Sequence, residues 1–119
     1  MKKPSAIRDK SFEFAVQIVN LVKKLQGQHE YVLSKQLLRS GTAIGALVRE
    51  AEQAESNKDW IHKLAIALKE ANETEYWLEL LFKTDYFSEV HFKEYQRWNH
   101  ELLKLLTSII KTSKSRIGN

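Results

Sequence analysis

Two acid–histidine pairs occur at the three-residue spacing with which a helix can present two metal ligands. Asp59 precedes His62, and His91 precedes Glu94. Di-iron helical bundles need two Glu-x-x-His motifs on facing helices together with additional glutamates. Here the first pair lies at a predicted helix cap, and the second has the reverse order. We therefore expect no metal site and no cofactor, and we assign all four histidines to the surface or its boundary.

Other catalytic motifs are also missing from the sequence. It contains no cysteine, which excludes disulfide bonds and thiolate chemistry. It contains neither the Gly-x-Ser-x-Gly motif of hydrolases nor a glycine-rich phosphate loop. Trp60, Trp77 and Trp98 could stack on nucleobases, but their helical spacing is more typical of a core or an interface. The sequence therefore predicts that the protein is not an enzyme.

Glu70 and Glu73 interrupt the apolar face of a predicted helix near its centre. A carboxylate that faces the interior of a bundle needs a cationic partner, because a buried unpaired charge is costly. Arg39 and Arg49 of the preceding helix are the residues of suitable type. We predict a buried structural ion pair between one of these arginines and one of these glutamates, in preference to a catalytic carboxylate.

Basic residues are concentrated towards the two ends of the chain, whose formal net charge is +4. Residues 1–30 hold six Lys/Arg against three Asp/Glu, and residues 86–119 also hold six against three. Such asymmetry favours an anionic partner or self-association by charge complementarity, although scattered solvated lysines would give the same counts. The candidates for phosphate contacts are Lys23, Lys24, Lys104, Lys111, Lys114 and Arg116.

Four segments with helical periodicity would position these residues. They cover residues 5–26, 32–55, 57–83 and 88–111, and a basic, frayed tail is expected over 112–119. One proline and four glycines leave few helix breakers. Ser56 and Ser88 are expected to cap the third and fourth helices. The sequence thus predicts one all-α domain, an antiparallel up-down-up-down four-helix bundle.

Three glycines have positional meaning in this arrangement. Gly27 is expected to end the first helix at its C′ position. Gly41 and Gly45 are four residues apart, so they lie on one side of the second helix. Each costs about 0.5–1 kcal/mol relative to alanine, which indicates that another backbone must come close. We prefer tight packing within the bundle as the explanation, and a ligand or subunit contact is the alternative.

The apolar faces of the first and fourth helices are wider than a single packing seam requires. The extra positions are Phe12, Val19 and Val22 in the first helix and Leu103, Leu106 and Ile110 in the fourth. We expect a lone bundle to leave them in water, and soluble monomers seldom expose so much contiguous apolar surface. The pattern therefore predicts a homo-oligomer that buries these residues between subunits.

No segment of the sequence has the features of a membrane span or a secretory leader. No apolar run approaches the roughly 20 residues needed to cross a bilayer. No region of about 7–15 apolar residues follows the basic N-terminus. We expect a cytoplasmic protein with no membrane partner.

The order of several residues resembles a known family. The matching pattern is Tyr31-x-Leu33-x-x-Gln36-Leu37-x-Arg39-x-x-x-x-Ile44, then Glu50, Asp59-Trp60-Ile61-His62-x-Leu64-x-Ile66-Ala67 and Glu73-x-Glu75-x-x-Leu78. It resembles the bacterial four-helix-bundle proteins encoded in intervening sequences of large-subunit ribosomal RNA genes, also called S23 ribosomal proteins. The accessory variability determinants of diversity-generating retroelements are similar proteins that work with RNA and a reverse transcriptase.

The resemblance implies a four-helix bundle that assembles into a ring-shaped homopentamer, and it brings no established biochemical activity with it. Many members carry Pro-x-Asn-Ile-Ala-Glu-Gly at residues 45–51, where this sequence has Gly-Ala-Leu-Val-Arg-Glu-Ala. Because a proline kinks a helix, we expect a straighter second helix here.

Charge pattern and resemblance lead to one functional hypothesis and one alternative. The hypothesis is a non-enzymatic homo-oligomeric bundle that binds RNA through its basic surface. The alternative is a protein–protein adaptor, a ring that docks another protein and has no nucleic-acid role. Phosphate-driven binding should weaken steeply with added salt, whereas apolar docking should not.

Overall fold

Four helices make up the part of the chain that the structure describes. The computed structural model describes residues 5–117, and the side chains of residues 5–116. The helices are α1 (Ala6–Gly27), α2 (Leu33–Ala51), α3 (Asn57–Lys83) and α4 (Glu89–Ile117). Each helix packs along the next one in the chain, whereas α1 and α4 contact each other only sparsely. The predicted all-α four-helix bundle is confirmed, with no strand in the described range.

Serine hydroxyls cap three of the four helices at their N-termini. Ser56 Oγ accepts a hydrogen bond from Asp59 N (3.1 Å), and Ser88 Oγ accepts one from His91 N (3.3 Å). Ser5 has the same role at the start of α1. These hydroxyls satisfy N–H groups that have no partner within the first helical turn.

The N-terminus of α2 is capped by a carboxylate, that of Glu30, in place of a serine hydroxyl. The sequence pattern did not reveal this cap. This nearly buried side chain accepts hydrogen bonds from the backbone N–H groups of Val32 (3.3 Å), Leu33 (3.0 Å) and Ser34 (2.6 Å). Desolvation raises the pKa of Glu30, but the hydrogen bonds together outweigh it, so the pKa is lowered from its usual value of 4.5. The charge also complements the positive end of the helix dipole.

Left-handed residues other than glycine end α1 and α3. His29 has a φ angle of 66° and Asp85 one of 70°. The residue after each donates its N–H to a carbonyl five residues earlier, at 2.9 Å after His29 and 3.1 Å after Asp85, as in a Schellman motif. The prediction that Gly27 takes the C′ position is therefore wrong. Gly27 remains helical because the turn that leads into Glu30 closes two residues later.

The end of α2 also differs from the predicted one. α2 stops at Ala51 instead of continuing to residue 55. The chain needs the following residues to reverse direction before α3 begins, and short reversals of this kind are usual between antiparallel helices. Glu52, the first residue of the reversal, is held by Arg8 of α1 through an Nε–Oε1 ion pair of 3.2 Å.

α4 is longer than its apolar pattern predicts. It continues to Ile117, where a frayed tail was expected from residue 112; the rest of that tail, residues 118–119, lies outside the described residues. The last turns of α4 lie against the start of α3, where Trp60 Nε1 donates a hydrogen bond to Ser113 Oγ (3.0 Å). This tertiary contact explains why the helix persists beyond its last strongly apolar residues.

α1 and α2 come together at the two glycines of α2. A Cβ atom placed on Gly41 would lie 2.9 Å from both Cγ atoms of Ile18, closer than carbon atoms normally approach. A Cβ atom on Gly45 would lie 3.2 Å from the backbone oxygen of Ser11. Ile18 and Ser11 are both fully buried, so neither has open space to move into. The two glycines therefore set how closely α1 approaches α2.

Buried polar groups join α3 to both of its neighbours. Thr74 Oγ1 lies 2.9 Å from Ser40 Oγ of α2 and 2.8 Å from Glu70 O, so its hydroxyl can donate to the Glu70 carbonyl and accept from the Ser40 hydroxyl. On the other side, Asn99 Nδ2 of α4 donates to Ala71 O (2.9 Å). Because unpaired polar groups are costly in a core, these contacts favour one register of the three helices.

The apolar residues that were expected to remain in water lie largely inside the subunit. Val22, Leu106 and Ile110 are buried, Val19 and Leu103 are half-buried, and Phe12 is exposed. The prediction is wrong for the three buried residues, because a helix in a four-helix bundle packs against more than one neighbour and buries a face wider than one seam. Of the six residues, Phe12 alone is left at the surface.

Candidate nucleic-acid interface

Six side chains form a line along the outer side of α4, and we call this line the basic spine. It consists of Lys93, Arg97, His100, Lys104, Lys111 and Lys114, all of which are exposed. At about 100° per residue they fall within a sector of roughly 100°. The opposite side of α4 carries buried residues such as Tyr95, Leu102 and Leu106. The basic spine is therefore the part of α4 farthest from the core, and it covers about 32 Å of helix.

Three acidic residues beside the basic spine already have partners. Glu101 forms an ion pair with Lys10 and Glu89 one with Lys93 (Oε2–Nζ, 3.7 Å), and Glu75 is hydrogen-bonded to His100. No ion pair within residues 5–116 involves the other four members of the spine, Arg97, Lys104, Lys111 and Lys114. These four cations face solvent and can bind an anionic ligand without first breaking an ion pair with a carboxylate.

The phosphate-contact candidates from the sequence do not form one surface. Lys104, Lys111 and Lys114 belong to the basic spine, whereas Arg116 lies on another side of α4 and lines an open groove with Trp60. Lys24 lies at the opposite end of the bundle, beside the turn that leads into α4, and its neighbour Lys23 is on the same last turns of α1.

Three members of the spine, Lys93, Arg97 and His100, were missed by reasoning from the sequence. The signal was present, because Lys93, Arg97, Lys104 and Lys111 recur at intervals of four, seven and seven residues, which keeps side chains on one face of a helix. The charge count for residues 86–119 did not separate this face from the others. A count by helical face, in place of a count by segment, would have found them.

Arg39 joins α2 to α3 at the surface of the bundle. Its Nη1 lies 3.1 Å from Glu70 Oε1, and its Nη2 pairs with Glu73, which also accepts a hydrogen bond from Trp77 Nε1 (2.9 Å). The predicted pairing of Arg39 with Glu70 and Glu73 is present, but the Arg39 side chain is 49% exposed, so the expectation that the pair is buried is wrong. The long arginine reaches over the edge of the seam and keeps its guanidinium in water.

Arg49 takes no part in that network. Its guanidinium lies 5.0 Å from the centre of the Phe12 ring on α1, a geometry that permits a cation–π interaction. The helical register explains the separation, because positions 39 and 49 are ten residues apart and therefore point to different sides of α2. Arg49 thus faces α1, whereas Arg39 faces α3.

The described residues offer little for metal or proton chemistry. Within residues 5–117 no three histidines and carboxylates are grouped closely enough to hold a metal ion. Asp59 is committed to the α3 cap, where its carboxylate accepts a hydrogen bond from Glu55 N (3.3 Å). Burial and the nearby charge of Glu94 raise the pKa of Tyr95, so its phenol stays protonated near neutral pH.

The described helices include none that is long and apolar enough to span a membrane.

An apolar strip lies on the flank of α1 that faces away from α4. Phe12 is 52% exposed and Val16 is 42% exposed, and half-buried Val19 follows on the same side at helical spacing. We call these three residues the α1 strip. Arg49 of α2 borders the strip through its contact with Phe12. The strip is a second surface, on a different helix from the basic spine, that is available to a partner.

Comparison with known proteins identifies the family. Residues 3–108 match the family described as 23S rRNA-intervening sequence protein. The chain is also similar to a solved structure, that of a protein with unknown function from the S23 ribosomal protein family of Bacteroides thetaiotaomicron. The two are 60% identical with a TM-score of 0.88, over 89% of this chain and 99% of that one. A comparison with curated proteins finds no match. The resemblance seen in the sequence is confirmed, and the chain belongs to the 23S rRNA-intervening sequence protein family.

Proposed function

We propose that this protein is a non-enzymatic RNA-binding bundle that self-associates, with the basic spine as its phosphate-binding surface. The observation that carries the proposal is the row of four solvent-facing cations on α4 that form no ion pair within the described residues. Lysine and arginine at such positions displace counterions from a nucleic-acid backbone, which is the main source of sequence-independent affinity.

Two observations favour RNA as the polyanion that the basic spine binds. The formal charge of +4 per chain favours association with nucleic acid in general. The name of the family refers to an intervening sequence of 23S rRNA, which connects its members with RNA at the level of the gene. Neither reason identifies a particular RNA, and the basic spine does not require one.

The proposal is tested by RNA binding at two salt concentrations with charge-reversal variants. Lys104→Glu combined with Lys111→Glu removes two members of the basic spine. Lys35→Glu combined with Lys69→Glu is the matched control, because it changes the net charge equally at exposed positions on α2 and α3. We expect the spine variant to lose at least about tenfold in affinity and the control to stay near wild type. Equal losses would show that net charge, and not the spine, governs binding.

We propose that self-association occurs through the α1 strip. Two neighbouring side chains, Phe12 and Val16, leave about half of their apolar surface in water, and burial of such surface favours association. Several basic spines in one assembly would then bind one RNA with combined avidity. Five subunits is the number that the family resemblance implies, and we adopt it as part of the proposal.

Light scattering of the full chain tests the self-association. Phe12→Ser with Val16→Ser should lower the mass of the assembly. Val32→Ser with Val90→Ser is the matched control, since these valines are 73% and 76% exposed on other parts of the surface. A wild-type mass of one chain would contradict self-association. If both variants had a lower mass, exposed apolar surface in general, and not the α1 strip in particular, would mediate the contact between subunits.

The alternative function, a protein–protein adaptor, has one observation in its favour. The α1 strip can dock a different protein as readily as a second copy, because apolar contact carries little partner specificity on its own. Binding experiments separate the two functions. An assembly that binds no RNA even at low salt would exclude the RNA-binding proposal and leave the adaptor.

A further inference from the structure

We infer that the basic spine binds the sugar-phosphate backbone of a duplex. It binds a duplex more tightly than a single strand, and its affinity does not depend on the base sequence. This inference rests on the proposed function and specifies the class of ligand. Three properties of α4 support it: the partial burial of the rings beside the spine, the anchoring of the helix, and the spacing of its free charges.

The first property is that the aromatic residues of α4 are packed against other rings. Phe92 stacks on Phe82 of α3 with ring centres 4.3 Å apart, and Tyr95 packs edge-on against Trp98 at 5.9 Å. All of them are buried or half-buried. Proteins that hold single strands gain about 1–3 kcal/mol per base from stacking on exposed rings. Phe92 and Trp98 line the open groove beside the spine, but each leaves only part of its ring exposed, so an unpaired base gains less stacking there than it keeps within a duplex.

The most exposed aromatic side chains of the described residues lie on other elements. Phe12 is on α1, Tyr31 is in the connection between α1 and α2, and Tyr76 is on α3. Because none lies on the outer side of α4, a strand that follows the spine does not reach successive rings. Base stacking therefore adds little to the phosphate contacts.

The second property is that α4 is anchored along its length. Ser88 caps its first turn, Asn99 bonds to α3 near the middle, and Ser113 accepts the Trp60 hydrogen bond close to the end. The cationic side chains therefore project from a helix that is anchored near both ends and in the middle. A rigid duplex presents its phosphates without further ordering, whereas a flexible strand must lose conformational entropy to match the helix.

The third property is the number and reach of the free cations. Arg97, Lys104, Lys111 and Lys114 extend along about 26 Å of helix. Long flexible stems let each head group find a phosphate without contact to base edges, and phosphate contacts carry no sequence information. Four such contacts predict a slope of log affinity against log salt of about −3 to −4 for a duplex.

The test compares three ligands with the full-length protein by fluorescence anisotropy. Two are RNA duplexes of about 20 base pairs with unrelated sequences, long enough to exceed the spine. The third is one strand alone, chosen so that it cannot pair with itself. We expect both duplexes to bind within about threefold of each other and the single strand to bind at least about tenfold more weakly.

The spine variant Lys104→Glu with Lys111→Glu should lower the salt slope for the duplex by about two, while the Lys35→Glu with Lys69→Glu control leaves the slope unchanged. Circular dichroism on all variants checks that they fold. A single strand that binds as tightly as the duplexes would overturn this inference and leave RNA binding by the spine intact. A strong preference for one duplex sequence would also overturn it. No binding of any RNA at low salt would instead remove the proposed function.

Discussion

Gly41 of α2 lies directly against Ile18 of α1, with room for a hydrogen atom but not for a methyl group. A Cβ atom at position 41 would come within 2.9 Å of two Ile18 carbons, and Ile18 has no exposed surface. Side chains in such a core occupy close-packed positions and cannot yield by several tenths of an ångström without moving others. This pair of residues therefore determines how closely α1 approaches α2.

We predict that Gly41→Ala lowers the free energy of unfolding by about 1–3 kcal/mol, the usual cost of overpacking. Gly27→Ala is the matched control, because Gly27 is helical and a Cβ atom there would meet nothing within 4 Å. That variant should be neutral or more stable by up to about 1 kcal/mol. Urea denaturation of both measures the difference. Equal stability of the two variants would contradict the close contact.

A second prediction concerns the exposed ion pairs of Arg39. Arg39→Met should lower the free energy of unfolding by no more than about 1 kcal/mol, because pairs at this exposure contribute little. Lys35→Met, an exposed lysine of the same helix without an ion pair within residues 5–116, serves as the control. A loss of about 3–5 kcal/mol would show that the network behaves as a buried pair.

A third prediction concerns the Glu30 cap of α2 and its dependence on pH. The folded-state pKa of Glu30 is lowered, so its charge adds stability above the unfolded pKa, and this stability is lost as the pH falls through the folded pKa. At neutral pH, Glu30→Gln should cost about 1 kcal/mol. The difference from wild type should shrink below about pH 4.3.

Denaturant melts of wild type and Glu30→Gln at pH 7 and pH 3 measure this effect. Glu79→Gln, which removes an exposed carboxylate on α3, is the control and should show little difference at either pH. A wild-type advantage over Glu30→Gln that stays constant between the two pH values would show that the charge of Glu30 does not stabilise α2.

A fourth prediction uses the left-handed residue at the end of α3. Asp85→Gly should stabilise the protein by about 0.5–1 kcal/mol, because glycine adopts a positive φ without the steric cost that other residues bear. The melting temperature should rise by roughly 3–5 °C. Asp85→Ala keeps the Cβ atom and should give no gain. A rise of the same size for alanine would assign the effect to the lost charge.

The sequence by itself determined the four helices, two of their N-terminal caps and the family. Apolar spacing places four helices, and Ser56 and Ser88 mark where two of them begin, because capping and periodicity depend on residues only a few positions apart. The pattern between Tyr31 and Leu78 was sufficient for the resemblance that the family comparison confirms.

The tertiary structure alone decided which side chains meet across helices and which face water. Arg39 and Arg49 are alike in the sequence, but the packing of α2 between α1 and α3 directs one towards carboxylates and the other onto a ring. Glu30 became a helix cap only through the turn that brings its carboxylate to the start of α2. Local sequence does not contain these distances, because they depend on where a second helix lies.

The same reason explains why the basic residues divided into separate surfaces. The sequence showed two basic ends, but α1 and α4 are antiparallel, so the last turns of α1 with Lys23 and Lys24 meet the beginning of α4. Lys111 and Lys114 lie near the other end of the bundle. Charge along the chain is a property of the sequence, whereas charge on a surface requires the direction and rotation of each helix, which only packing of the core establishes.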